Sequence, residues 1–288
     1  MATYASPTVR RRRIAAELSR LRGDLRAATV AKALGWSIAK ISRYELGRTG
    51  YPPDEVAKLL DYYEVKEPRR SKLIGLAEDA NKRGWWAEFS DAISPEYEEY
   101  VGLEAEAESS VGWAITGIPG LLQTEDYARE LNAFFKSVVT IPPAVIERRV
   151  ALRMMRQQVL TERNPPLELS VVIDEPALLR PIGGPQVMQA QLRHLAAVAE
   201  WPNVRLQVLP LSSNSSPPPA TFQVFGFGAV DGTSKLGDVV SVEGLTNQLG
   251  VEGETDTHIY RLLFQGLTEV SLSPQESRQL ILQLAKRL

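Results

Sequence analysis

The chain has 288 residues and a formal net charge of −2, with 44% apolar, 24% charged and 7% aromatic residues, a composition ordinary for a globular protein of about two domains. With no cysteine and only two histidines, His194 and His258, it excludes a disulfide scaffold, a zinc–thiolate or iron–sulfur site, a cysteine nucleophile and a multi-histidine metal site. No apolar run approaches the ~20 residues of a membrane span, and the basic stretch before Ile14 lacks the apolar segment of a signal peptide. We therefore expect a cytoplasmic protein without membrane contact.

The charge is unevenly distributed. Residues 1–83 contain 18 basic and 10 acidic side chains, whereas the rest of the chain contains 15 basic and 25 acidic ones. A basic segment beside an acidic one predicts two domains, 1–83 and 84–288, that face different partners. DNA is the natural partner of the basic domain, because each neutralised phosphate releases condensed counterions. Mutual attraction between the two parts is the alternative.

Five short helices are predicted in the first domain. The first carries Ile14 and Leu18 at helical spacing, and the second, third and fifth cover about 26–34, 37–46 and 67–83. The fourth opens at Pro52-Pro53 and contains Val56, Leu59 and Leu60. Ser37 is placed to cap the third helix, and Gly47 is placed to end it. The inward side chains of the third helix are predicted to be Ile38, Ile41 and Tyr44.

The spacing of Ala31, Gly35 and Ile41 is typical of a helix-turn-helix. A small residue is needed where the two helices cross, a glycine provides the positive φ of the tight turn, and a branched apolar residue anchors the second helix. Followed by Ser-x-x-Lys-Ile-Ser-Arg-x-Glu-x-Gly-Arg, the triplet makes residues 13–65 resemble the repressor-like, or XRE-type, helix-turn-helix domain.

The resemblance implies that residues 37–46 form a recognition helix in the major groove. Arg43 is then the candidate for a bidentate contact to guanine. Lys40, Ser37 and Arg48 are expected at phosphates, and Ala39 is expected at a thymine methyl. The full set of expected DNA contacts is Ser37, Ala39, Lys40, Ser42, Arg43 and Arg48, with Arg10, Arg11, Arg12 and Arg13 tracking the backbone or entering the minor groove. The alternative for all of them is a solvated charge on an ordinary helix.

One segment departs from the family pattern. Residues 22–27 are about two residues shorter than the usual entry to the second helix, and they lack its threonine cap. Asp24 is the residue predicted to cap in its place. Because the shortened turn would shift the second helix, a domain that binds protein rather than DNA remains an alternative interpretation.

Residues 84–288 mix strand and helix patterns. Strand-like stretches lie near 111–115, 167–173, 204–209, 221–227 and 239–243, between helical stretches. Several neighbouring strand signals with helices interspersed predict an α+β domain with a mixed or mainly antiparallel sheet.

The whole chain resembles the actinobacterial XRE-type regulators with a conserved C-terminal domain of unknown function, the WhiJ-like regulators. The matching blocks include Gly84-Trp85-Trp86, residues 100–106, residues 118–129, residues 147–150, residues 172–175, residues 180–184, residues 202–210 and Leu272-Ser273-Pro274. Members are often encoded beside a small partner protein in an antitoxin-like arrangement, so the resemblance implies such a partner. Residues around 253–255 depart from the family pattern.

Catalytic patterns in the second domain are weak. Asp174-Glu175 with Glu243 or Glu252 would be paired carboxylates only if the fold brings them together. His194 lies on an amphipathic helix, and His258 has no identifiable partner. Gly183-Gly184 before a helix is interpreted as a turn rather than an anion site. No enzyme, metal or cofactor is predicted.

Three functions compete. The first is a sequence-specific transcriptional regulator that binds double-stranded DNA as a homodimer, with the acidic domain binding a small protein or ligand that alters DNA occupancy. The second is an antitoxin-like interaction module that sequesters a small partner, with DNA binding secondary. The third is a ligand-binding or catalytic α+β domain with a vestigial basic module. We favour the first.

Overall fold

The computed structural model describes residues 9–47, 49–134, 141–228, 236–244 and 248–288. The backbone divides into two units. Unit 1 comprises residues 1–87, 98–106 and 227–236, and unit 2 comprises residues 88–97, 107–226 and 237–288. The segments 98–106 and 227–236 fall in what the sequence assigns to the second domain, so the boundary at residue 83 stays a prediction.

Five α-helices form the N-terminal part of unit 1: α1 (Val9–Arg22), α2 (Ala27–Leu34), α3 (Ile38–Glu45), α4 (Pro53–Tyr62) and α5 (Arg69–Ala80). One apolar core joins all five and includes Ile14, Val30, Leu60 and Leu73. The order and approximate limits of these helices agree with the sequence prediction, because each helix carries its apolar residues at a spacing of three and four.

Two details of the sequence prediction are wrong. Ile38 was expected to point inward, but its side chain is 56% exposed, because it occupies the first position of α3 beyond the reach of the core. Asp24 was expected to cap α2. The helix instead follows Arg26 with no side-chain cap, because α2 begins too far along the chain for Asp24 to reach its first amides.

Unit 2 is built on one mixed six-stranded sheet. Its strands are β1 (Ser109–Ala114), β2 (Glu168–Asp174), β3 (Val204–Leu209), β4 (Phe222–Gly226), β5 (Val239–Glu243) and β6 (Gln248–Val251). The spatial order is β3-β2-β1-β4-β5-β6. The β1, β2 and β3 strands are parallel, and β4, β5 and β6 are added antiparallel to β1 and to one another. The α+β architecture with a mixed sheet is therefore confirmed.

The helices after residue 94 are α6 (Pro95–Glu106), α7 (Glu125–Phe134), α8 (Pro143–Arg156), α9 (Glu175–Leu179), α10 (Pro185–Val198), α11 (Glu254–Val270) and α12 (Pro274–Arg287). α10 packs on α12, and α12 packs beside β3. α11 packs across β1 to β5 and places Tyr260, Phe264 and Leu267 on the core of that sheet face. Within the described ranges, no helix is long and apolar enough to span a membrane.

Candidate nucleic-acid interface

The turn between α2 and α3 depends on a left-handed glycine. Gly35 has φ +67° and ψ +30°, which a residue with a Cβ adopts only at a cost. The next amide, of Trp36, donates to the Ala31 carbonyl at 2.8 Å and closes the end of α2. Ala31 and Ile41 are both buried where the two helices meet. The roles inferred for the triplet match this geometry.

α3 begins at a side-chain cap. The Ser37 hydroxyl accepts from the Lys40 amide at 3.2 Å, as its position in the sequence predicts. Ile41 and Tyr44 anchor the helix in the core, and the Tyr44 ring stacks on Tyr51 with 5.4 Å between ring centroids. The anchored side leaves the opposite side of the helix open. Its exposed residues are Ser37, Ile38, Ala39, Ser42, Arg43 and Leu46.

Arg43 is an exposed cation on this face. Its side chain is exposed, and it makes no hydrogen bond or ion pair within the part of the chain that the structure describes. A guanidinium group without an intramolecular partner keeps all its donors for a ligand such as guanine O6 and N7. Arg48, the other expected contact near the end of the helix, lies outside the described residues.

Lys40 is differently placed. Its Nζ lies 2.7 Å from the Glu55 carboxylate and 4.2 Å from the centre of the Trp36 ring. Glu55 also accepts a hydrogen bond from the Tyr44 hydroxyl. Burial alone would raise the pKa of Glu55, but the hydrogen bonds from Lys40 and Tyr44 outweigh burial, so the pKa is lowered. Lys40 is therefore held by a carboxylate that any phosphate contact has to replace.

Glu55 was missed by the sequence prediction. It lies on α4 with no motif around it, and only the folded structure brings its carboxylate to Lys40 of α3. Together these residues line a cleft of about 410 Å³, which also includes Arg43, Thr49 and Gly50. The cleft combines two cations and one carboxylate beside the C-terminal part of α3.

The arginine run at the start of α1 is only in part available to DNA. Arg11 and Arg13 are buried. The Arg11 Nε donates to the Ala80 carbonyl at 2.8 Å, and the Arg13 guanidinium donates to the Gly228 carbonyl at 2.5 Å. These two side chains therefore bond within unit 1, and the expectation that the run tracks DNA stays a prediction.

The other two arginines of α1 form ion pairs within unit 1. Arg12 pairs with Glu99, and both side chains are partly covered. Arg10 is the most exposed of the four, and its Nε lies 3.7 Å from Glu106. Arg10 is therefore the most accessible candidate phosphate contact of the run.

Another ion pair of unit 1 stabilises the short segment before α2. The Arg22 guanidinium makes two contacts with the Glu45 carboxylate, at 2.5 and 3.1 Å, and it also donates to the Leu25 carbonyl. It therefore ties the end of α1 and the short turn to the end of α3. Two parallel N–H···O bonds make this pair more directional than a lysine pair.

The acidic candidates of unit 2 are dispersed. Asp174 ends β2 and Glu243 ends β5, and β1 and β4 lie between these strands. Three strand spacings amount to roughly 14 Å, beyond the separations at which paired carboxylates act together. Glu175 accepts a hydrogen bond from the Leu211 amide at 2.8 Å. Glu252 follows β6 and is exposed.

The remaining candidates of unit 2 do not converge either. His194 is partly covered on α10, where burial lowers its pKa, and His258 is exposed on α11. Gly183 and Gly184, with φ +73° and +87°, form the turn before α10. Within the described residues, no group of three or more His, Asp or Glu side chains is arranged to hold a metal ion.

Comparison with known families gives two matches. Residues 8–73 match a family model described as a helix-turn-helix domain. Residues 97–283 match a model described as a domain of unknown function, DUF5753. No curated protein is similar to the chain.

Proposed function

The chain belongs to the family of the domain of unknown function DUF5753 and carries a helix-turn-helix domain ahead of it, and we propose on this basis that it is a sequence-specific, DNA-binding transcriptional regulator. The observation that carries the proposal is the exposed face of α3, on which Arg43 makes no ion pair or hydrogen bond with the residues that the structure describes. Ser37, Ala39 and Ser42 share this face and are retained as contacts. Lys40 would reach a phosphate after leaving Glu55.

The finer parts of the proposal extend the family resemblance. We propose that the regulator is of the XRE type and WhiJ-like, that residues 1–83 bind DNA in the cytoplasm as a homodimer, and that residues 84–288 bind a small protein or ligand that alters DNA occupancy. A dimer suits the proposal because repressor-like domains read inverted half-sites about one helical turn apart. The dispersed acids of unit 2 favour a regulatory role over a catalytic one.

Binding to the upstream region of the protein's own gene tests the proposal. The full chain, Arg43→Ala and the matched control Lys72→Ala, which removes one exposed cation from α5, are compared over a salt series. We expect Arg43→Ala to lose the ~1–3 kcal/mol of a bidentate base contact on this DNA and nothing on unrelated DNA. Lys72→Ala should match the wild type.

Weak binding that is equally steep in salt for every DNA and every variant would contradict the proposal. Such a result would mean that the basic unit provides only electrostatic attraction. The antitoxin-like role, in which the second domain sequesters a partner, would then be the better description.

A further inference from the structure

The outward side of α11 is apolar and uncovered. Ile259, Leu262 and Leu263 follow one another at helical spacing, and their side chains are 51%, 53% and 42% exposed. Leu249 on the edge strand β6 is 61% exposed. Scattered exposed leucines are ordinary, but four large apolar side chains on adjoining elements form a patch of the kind that marks an interaction site.

The neighbouring corner of the sheet is also open. Val242 lies opposite Leu249 and Val240 lies opposite Val251 in the antiparallel ladder, so all four side chains point to the face on which α11 packs. α11 covers Val240, which is buried, but it leaves Leu249 in solvent. Among the residues that the structure describes, no second layer covers this corner as α11 covers the rest of the face.

A groove of about 430 Å³ runs between α11 and this corner. Phe222, Val242 and Val251 of the sheet line it, Ile259 and Leu263 form one wall, and Pro218-Pro219 form the other. The second wall is fixed because the Trp113 indole donates to the Pro218 carbonyl at 3.1 Å. An apolar groove with fixed walls suits the apolar side of a helix.

The charge around the groove has one sign. Asp256 is the charged residue among those that line it, and Glu254 is exposed next to it. Arg261, on the same helix, is engaged by Asp238. The apolar groove is therefore bordered by carboxylates without a nearby free cation among the described residues.

We propose that this groove binds an amphipathic helix of a partner protein, with leucine-like residues on one side and lysine or arginine beside them. This assignment rests on the proposed partner-binding role of the second domain. It adds where the partner binds and which type of partner segment is recognised. A helix suits the groove better than a strand, because the exposed apolar groups lie on the sheet face and on the flank of α11 rather than along the β6 backbone.

A second copy of the chain suits the groove less well. α11 carries Glu254 and Asp256 at its start and Glu269 near its end, all exposed. Antiparallel pairing of two α11 helices would bring the acidic start of each to the acidic end of the other. Like charges across an interface oppose association, whereas a basic helix is attracted.

The test uses the full chain and two synthetic peptides of about 18 residues, long enough to form a helix on binding. Both peptides carry leucine at positions i, i+3, i+4 and i+7, and one has lysine where the other has glutamate. Anisotropy of the labelled peptide reports binding. The protein variants are Ile259→Lys with Leu263→Lys, Asp256→Asn, and the control Leu179→Lys, which alters an exposed leucine away from the groove.

We expect the lysine peptide to bind and the glutamate peptide to bind at least tenfold more weakly. The double lysine variant should lose at least tenfold in affinity, since each large apolar contact contributes about that factor. Asp256→Asn should lose a few-fold, and Leu179→Lys should lose nothing. DNA binding is measured in parallel and should be the same for all variants, so failure of the groove is distinguishable from failure of the regulator.

Two results would overturn the proposal. One is equal binding of both peptides, or equal binding by the wild type and the double variant. The other is a wild-type dimer, measured by sedimentation, that the double variant converts to a monomer, since this would assign the face to a second copy.

Discussion

Replacing Glu55 of α4 by glutamine removes a charge next to the exposed face of α3 without substituting any residue of α3. In the native protein the Glu55 carboxylate holds the Lys40 ammonium at 2.7 Å and accepts from the Tyr44 hydroxyl. Glutamine keeps an oxygen for the Tyr44 hydroxyl but removes the charge that competes with a phosphate for Lys40. We therefore expect Glu55→Gln to bind DNA more tightly.

The size of the effect is estimated from how exposed the Lys40–Glu55 ion pair is. The Lys40 and Glu55 side chains are 26% and 25% exposed, so solvent partly screens the pair and its loss costs about 0.5–1 kcal/mol of unfolding free energy. A freed Lys40 that neutralises one more phosphate steepens the slope of log K against log salt by about 0.9. Over a fourfold change in salt, this slope corresponds to about threefold in affinity.

The difference in stability between Glu55→Gln and the wild type depends on pH. The pKa of Glu55 is lowered on folding, so the ionised carboxylate stabilises the fold above the unfolded pKa. This contribution is lost as the pH falls through the folded pKa. The Glu55→Gln variant should therefore be less stable than the wild type at neutral pH, and the difference should disappear in acid.

Fluorescence anisotropy with an unrelated duplex over a salt series measures the DNA effect. Asp61→Asn is the matched control, because it also removes one carboxylate of α4 and frees a cation, Arg70, held at 2.8 Å. Equal slopes for Glu55→Gln and Asp61→Asn would refute the reasoning. So would weaker binding by Glu55→Gln, since Glu55 would then orient Lys40 toward DNA rather than withhold it.

Three further predictions concern stability, each measured by chemical unfolding followed by circular dichroism. At Gly35 and at Gly75 of α5, an added Cβ meets nothing within 4 Å, so only the backbone conformation decides the effect of alanine. Gly35→Ala should destabilise the protein by about 1 kcal/mol because of the left-handed φ, and Gly75→Ala should stabilise it by about 0.5–1 kcal/mol. Equal effects would contradict this. Ile41→Ala should lower the free energy of unfolding by about 2–5 kcal/mol and Ile38→Ala by less than about 0.5 kcal/mol, because only Ile41 is buried. Equal losses for the two variants would contradict this. Ser273→Ala, which removes a capping box at α12, should cost about 1 kcal/mol, and an unchanged midpoint would mean that water replaces the cap.

Local patterns were sufficient to predict the helices of unit 1. Periodic apolar residues, the Ser37 cap and the glycine turn all act within a few residues of themselves, so their signals can be found in a short stretch of sequence. Ile38 shows the limit of this reasoning, because spacing alone places it with Ile41, while its position in the first turn decides its exposure.

The candidate DNA contacts were harder to predict. Four consecutive arginines have the same appearance in the sequence, yet Arg11 and Arg13 are buried, and the Gly228 carbonyl that receives Arg13 is far along the chain. The ion pair between Lys40 and Glu55 likewise depends on how α3 and α4 pack. Contacts of this kind arise from tertiary structure, so they cannot be predicted from the composition or from the periodicity of apolar residues.

The strand order was not predicted either. Strand-like stretches were located for β1 to β5, but alternation says nothing about which strands are neighbours. β6 is short and includes a glycine, so its strand pattern is weak.

The central position of β1 in the sheet has a consequence for how unit 2 assembles. β1 ends at Ala114, but its two neighbours begin at Glu168 and Phe222, so both of its ladders close long loops. Such closures slow folding, whereas the meander from β4 to β6 joins near neighbours. During synthesis β1 leaves the ribosome long before either partner exists, and its unpaired backbone is open to other chains for that interval. Solubility on expression should therefore depend more on β1 than on any other strand of the sheet.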